Sequence, residues 1–242
     1  MKKPCLLFGL WLLMFSTSAS ADETVDITDT DDWQYDEPEA FQTMPDPLEP
    51  WNRLVFVFND RFYFRAFRPV AKGYNRVVPR KGRIAVRNVF RNIATPVRLV
   101  NNILQGRMKR AGNEVIRFCM NTTIGVLGLF DAAKRYRNIT YIEEDLGQTL
   151  GSYGIGNGCY IVWPFLGPSS VRDTVGIVGD GFLDPLGYVS DTALQFGITA
   201  YKYLNNNALR VDEYKNLKEE TLEPYTALRD VYYQYRRDKI RQ

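Results

Sequence analysis

Histidine is absent from this 242-residue chain. That removes imidazole acid–base chemistry, Ser-His and Cys-His nucleophiles and imidazole metal ligands together, leaving only carboxylate, Lys or Tyr chemistry. Cysteine is scarce, at three residues. Cys5 lies at the N-terminus, and the other two, Cys119 and Cys159, either pair in an oxidising compartment or persist as free thiols. There is no G-x-x-x-x-G-K-[ST] loop and no G-x-S-x-G elbow, and Gly154-Ile155-Gly156-Asn157-Gly158 does not complete G-x-G-x-x-G. A nucleotide site is therefore not expected. Glu143, Glu144 and Asp145 are adjacent acids before a loop and read as solvated side chains rather than as an acid–base pair. RNP-type and zinc-finger patterns are missing, which argues against nucleic acid as a partner. No enzymatic activity, cofactor or metal is expected.

What is present begins with an export pattern. Lys2 and Lys3 precede an apolar run of eleven residues, Cys5 to Phe15, and Ala19-Ser20-Ala21 supplies a small-x-small cleavage site. Residues 1–21 are thus expected to be a cleaved signal peptide. The run is too short to span a bilayer. Cys5 opens the run rather than following it, so a lipid anchor is not supported.

Charge is sorted along the remainder. Asp22 to Glu49 carries eleven acids and no Lys or Arg, whereas Pro50 to Gln242 carries 29 basic and 17 acidic residues. Residues 22–45, acidic, punctuated by Pro and poor in aliphatics, read as a disordered arm, and residues 46–242 as the folded body. Between Pro50 and Arg110 fifteen basic residues face the single acid Asp60, with Phe56, Phe58, Phe62, Phe64, Phe67 and Phe90 among them. Arg interleaved with Phe on an exported chain suits a bilayer surface, which is oily and anionic at once.

Apolar spacing of three and four residues predicts helices across most of the body. Leu54, Val55, Phe58 and Phe62 share a face, and Arg68-Pro69 is expected to end that helix. A second runs near Arg83 to Ile93, where Arg83, Arg87 and Arg91 fall along one flank of the apolar stripe and become candidate head-group or membrane-surface contacts. Thr95 with Pro96, Asp191 and Pro224 read as helix starts. Leu146 to Val171 has no charged residue in twenty-six positions yet contains six Gly and two Pro. Such a stretch cannot be a lipid-exposed helix, and it is expected to line a cavity or to fold as a mobile hairpin. The fold class is mainly α.

Several separated motifs resemble those of the MlaA (VacJ) family. They are Asp46-Pro47-Leu48-Glu49-Pro50-Trp51-Asn52-Arg53, Arg68-Pro69-Val70-Ala71, Leu104-Gln105-Gly106, Thr149 to Gly156, Trp163 to Pro168 and Arg172-Asp173. The resemblance covers about Asp46 to Tyr188 and continues more weakly into the helical tail. It implies a ring of amphipathic helices around a channel, with an irregular Gly-rich hairpin, seated in the inner, periplasmic leaflet of the Gram-negative outer membrane. It further implies removal of phospholipid mislocalised to the outer leaflet, association with a trimeric porin, and hand-over to a soluble periplasmic lipid carrier. By the same resemblance, about Asn121 to Gly156 corresponds to a hairpin beside the channel. Phe58, Ile124, Leu127, Tyr153, Gly154 and Gly156 are then channel or hairpin residues, with Gly154 and Gly156 at a hinge. Most members carry a lipobox cysteine directly after the apolar run; here that place holds Ala19-Ser20-Ala21. The competing reading is a periplasmic scaffold or adhesion factor that binds porins or anionic surfaces without moving lipid.

Overall fold

The structure, a computed structural model, describes residues 44–242. The expected signal peptide and nearly all of the acidic arm lie outside the described residues. Met44 and Pro45, assigned above to the arm, belong instead to the folded body. The Met44 side chain is buried against Val55, Tyr160, Val162 and Tyr225, and Pro45 O accepts from Tyr160 N at 3.0 Å. An apolar side chain next to the acidic stretch gains about 1.5–3 kcal/mol by this burial, which draws the boundary inward.

The first helix, α1 (Glu49–Phe62), opens with Pro50 in its first turn, where a missing N–H costs nothing. It does not stop at Arg68-Pro69. The chain passes through a π-helical turn, Tyr63–Phe67, in which Arg68 N donates to Tyr63 O five residues back, and resumes as α2 (Arg68–Val77). A Pro inside an α-helix lacks a donor and presses on the carbonyl four residues back; the wider turn relieves both faults. Next come α3 (Arg80–Ile93), α4 (Thr95–Leu104) and α5 (Met108–Thr123). Thr95 is the first residue of α4 rather than its cap, and its hydroxyl accepts from Arg98 at 3.1 Å.

Asp131 caps the short α6 (Ala132–Arg137) and Asp145 caps α7 (Leu146–Ser152). A two-stranded antiparallel hairpin follows, β1 (Tyr160–Trp163) with β2 (Gly167–Ser170), Tyr160 facing Ser170 and Trp163 facing Gly167. Ser170 then caps α8 (Val171–Gly181). After a 3₁₀ turn at Pro185–Tyr188 come α9 (Thr192–Ala208), α10 (Glu213–Glu220) and α11 (Pro224–Arg241). Asp191 caps α9 and Pro224 opens α11, as their sequence signals predict.

The charge-free stretch 146–171 therefore comprises α7, an irregular link and the β-hairpin. Its glycines at 147 and 151 serve close packing. A Cβ on Gly176 of α8 would meet Gly147 N at 2.5 Å, and one on Gly151 would meet Ile240 Cδ1 of α11 at 2.5 Å. Side chains at these places would hold α7 away from both neighbours. Around this centre, α1 packs on β1, α2 and α3 on α9, α4 on α5 and α7, and α7 on α8 and α11.

The partition of side chains runs against that of a water-soluble domain. Among the described residues the buried set contains more polar and charged side chains, such as Asn52, Asn101, Arg98, Glu114 and Arg172, than apolar ones. Large apolar side chains are more often exposed than buried, Leu54, Phe182 and Phe196 among them. Exposed apolar side chains in such number point to a contact with a membrane or another protein.

Candidate functional site

A cavity of about 640 Å³ lies between α3, α4, α8, α9 and the extended stretch 141–145. Phe90, Ala94, Val97 and Ile177 give it an apolar side; Arg87, Arg91, Arg98, Lys202 and Arg210 face it together with Glu143, Glu144, Asp145, Asp180 and Asp184. Most of these charges are already paired. Arg98 Nε sits 2.8 Å from Glu114, Glu144 takes Arg107 and Arg110 at 3.0 Å each, Asp145 takes Arg236 at 2.7 Å and Lys202 takes Asp184 at 3.2 Å. The acids at 143–145 are thus not simply solvated: Glu144 is buried between two arginines that the sequence places far away.

Arg87 and Arg91 have no carboxylate partner among the described residues, and Arg87 Nε is a buried donor without a hydrogen bond. The Arg91 guanidinium lies 4.0 Å from the centre of the Tyr141 ring, with Arg98 at 4.8 Å from the same ring. Burial, and then the neighbouring Arg91, Arg210 and Arg80, push the Arg87 pKa down. Burial and like charges both disfavour the charged form of a group. On the same cavity, Asp180 accepts from Asn101 Nδ2 and from Leu146 N, both at 2.9 Å, and burial raises its pKa.

The residues expected to contact head groups divide. Arg87 and Arg91 line the cavity. Arg83 does not: its guanidinium donates to Asn75 and, at 3.1 Å, to Ala208 O, tying α3 to α2 and α9. One turn of helix decides this, because the packing of α9 covers the first arginine of the flank and leaves the next two facing the space.

None of the six residues expected at the channel or hairpin lines this cavity. Phe58 stands on an outer groove with Arg53, Leu54, Val57 and Arg61, and its ring meets Phe165 of the β-hairpin tip at 5.2 Å. Phe165 has φ +65°, held by Asn59 Oδ1 accepting from its N–H at 2.8 Å. Ile124 borders a separate groove with Phe130 and Tyr136, and Leu127 is among the most exposed apolar side chains nearby. Val126 and Leu127 both lie in the left-handed region, at φ 51° and 56°. Such backbone costs about 1–3 kcal/mol per residue and tends to occur where function uses it. Tyr153 donates to Leu104 O at the end of α4, Gly154 takes φ +85° after α7, and Gly156 has open space around it. Residues 121–156 are no single hairpin: they comprise the end of α5, a tight turn, α6, an extended stretch and α7.

The motif residues act as ties. Asn52, fully buried, donates to Asp46 at 2.7 Å and to Tyr160 O at 3.0 Å and accepts from Val162 N at 2.8 Å, clamping α1 to β1. Asp46, just ahead of Pro47, also accepts from Tyr225 OH of α11. Arg53 bridges Glu49 and Glu223 at 2.6 and 2.8 Å. Arg68, beside Pro69, reaches Asp212 at 3.0 Å. Arg172 and Asp173 pair at 3.1 Å, and Asp173 also takes Arg236 Nη2 at 2.8 Å and the Tyr232 hydroxyl. Sequence reasoning missed Tyr141, Asp180, Lys202 and Arg210, since no local pattern separates them from ordinary surface residues.

The chain resembles known proteins along nearly this whole body. It is 31% identical to the intermembrane phospholipid transport system lipoprotein MlaA of Escherichia coli over 199 residues, covering 80% of this chain and 77% of that protein. The Haemophilus influenzae protein of the same name is 30% identical, with 81% and 79% covered. A chain solved in a study of the structural basis for maintenance of bacterial outer membrane lipid asymmetry superposes with a TM-score of 0.72 at 30% identity, covering 81% of this chain and 99% of that one. The sequence model of the MlaA lipoprotein family matches residues 44–239, so the chain belongs to that family.

Proposed function

We propose that this protein carries phospholipid from the outer leaflet of the outer membrane back toward the periplasm, with the head group travelling through the charged cavity. The observation that carries this reading is the inverted distribution of side chains: polar and charged groups inside, large apolar groups outside. No helix among the described residues is long and apolar enough to cross a membrane. Apolar surface on Leu54, Val57 and Phe58 of α1, Val175 and Val178 of α8, and Phe182 and Phe196 supports seating in one leaflet, the periplasmic one.

A phospholipid in transit must keep its head group solvated. Leaving a phosphate unpaired in an apolar setting costs several kcal/mol, and Arg87 and Arg91 offset that cost with charge-assisted hydrogen bonds. The apolar side of the cavity, Phe90, Val97 and Ile177, accommodates the adjoining part of the lipid. No covalent step is needed. The reading includes export by a cleaved signal, a trimeric porin beside the exposed apolar surface, and a soluble periplasmic carrier that accepts the lipid.

Outer-leaflet phospholipid labelling in cells tests it. Deletion, and Arg87→Glu with Arg91→Glu, should each raise the labelled fraction; labelling unchanged by both would refute transport. Purified protein that never retains phospholipid would instead favour the scaffold.

A further inference from the structure

Four charged side chains of the cavity have no opposite charge within bridging distance among the described residues: Arg87 and Arg91 on α3, Glu143 on the extended stretch, and Asp180 on α8. They do not pair with one another either, although they share one space. Every other charged residue facing that space has an ion-pair partner; Arg98 with Glu114 and Lys202 with Asp184 are examples. Partly buried charges ordinarily find partners, because an isolated one loses hydration without compensation. Three of the four are also restrained. Arg91 lies against the Tyr141 ring at 4.0 Å, Asp180 is gripped by Asn101 and Leu146 at 2.9 Å, and Glu143 accepts from Tyr235 OH at 3.1 Å. Arg87 keeps a buried Nε with no acceptor.

We propose that the cavity selects zwitterionic phospholipids, with Arg87 and Arg91 taking the phosphate and Asp180 together with Glu143 taking the ammonium group. This rests on the reading of the cavity as the head-group path. A head group bearing only negative charge satisfies the α3 wall and is repelled by the facing carboxylates. A head group with phosphate and ammonium satisfies both sets of unpaired charges at once. Such arrangements discriminate by repelling the wrong ligand as much as by attracting the right one.

The test uses the purified full chain in detergent, exposed to vesicles of equal phosphatidylethanolamine and phosphatidylglycerol, re-isolated, and assayed for bound lipid by mass spectrometry. On the wild-type protein the ratio of phosphatidylethanolamine to phosphatidylglycerol should exceed the input ratio about fivefold or more, the scale of one ordinary hydrogen bond. Asp180→Asn and Glu143→Gln should each lower that ratio, and the pair should bring it to the input value. Should Asp180→Asn fail to fold by circular dichroism, the wild-type ratio and Glu143→Gln decide alone. Soluble glycerophosphoethanolamine should compete better than inorganic phosphate; equal competition would mean that the arginines act alone and would overturn the selectivity. Lipid bound at the input ratio, or phosphatidylglycerol enriched, would also overturn it while leaving lipid passage intact. Failure to bind either lipid would overturn the passage itself.

Discussion

Two charged regions of this protein use the same residue types to opposite ends. At the junction of α7, α8 and α11, Arg236 reaches Asp145 at 2.7 Å and Asp173 at 2.8 Å, Tyr232 donates to Asp173, and Arg172 joins at 3.1 Å. Every charge there has a partner. In the cavity, Arg87, Arg91, Asp180 and Glu143 have no oppositely charged partner among the described residues. The difference separates charges that hold the protein together from charges left free to meet a ligand on the proposed reading: a closed network adds rigidity and offers nothing to a newcomer, whereas an unmatched set is compensated only when something arrives to match it.

The largest test breaks the closed network. Arg236→Met leaves Asp145 and Asp173 with fewer partners in a buried place, and the unfolding free energy in detergent should fall by about 3–5 kcal/mol. Acid should act on the same network. Burial pushes the Asp145 pKa up, but the hydrogen bonds and charge of Arg236 and the bonds from Gln148 outweigh it, and the folded value lies below the unfolded one near 3.8. A depressed carboxylate contributes stability that is present above the unfolded pKa and is lost as pH falls through the folded one. The unfolding midpoint should therefore drop as pH goes below about 4, and Arg236→Met should flatten that dependence.

The cavity should respond in the other direction. Arg87→Met removes a half-buried charge crowded by Arg91, Arg210 and Arg80, and stability should rise by about 0.5–1 kcal/mol while outer-leaflet phospholipid labelling rises toward the deletion level. A stability loss of the Arg236 kind would erase the contrast between the two regions. The smallest effect belongs to Arg53 and Glu223, an exposed pair in which Arg53 and Thr226 hold the Glu223 pKa down to about 2. Arg53→Ala should cost less than about 1 kcal/mol, part of it removed by molar salt.

Local signals in the chain were read well where their cause was local. Helix periodicity, Asp191 as a cap, Pro224 as a start and the α3 arginine flank depend on residues a turn or two apart, and the structure keeps them. Pro69 misled, because a π turn absorbs it and only the packing of α1 and α2 makes that turn worthwhile. The glycine-rich stretch 146–171 read as a cavity lining or a mobile hairpin, yet its glycines at 147 and 151 are contact points for α8 and α11. Glu144 looked solvated until Arg107 and Arg110 closed on it.

The amino-acid sequence alone determined which chemistry is unavailable, which stretches become helix, and that a basic, aromatic body follows an acidic leader, since these are matters of composition and short-range spacing. Only the tertiary structure decided that Arg83 is a tie while Arg87 and Arg91 line a cavity, and that Asp180 shares it with them. Ion pairing is a question of a few ångströms between elements distant in the chain, and a linear order of residues does not contain those distances.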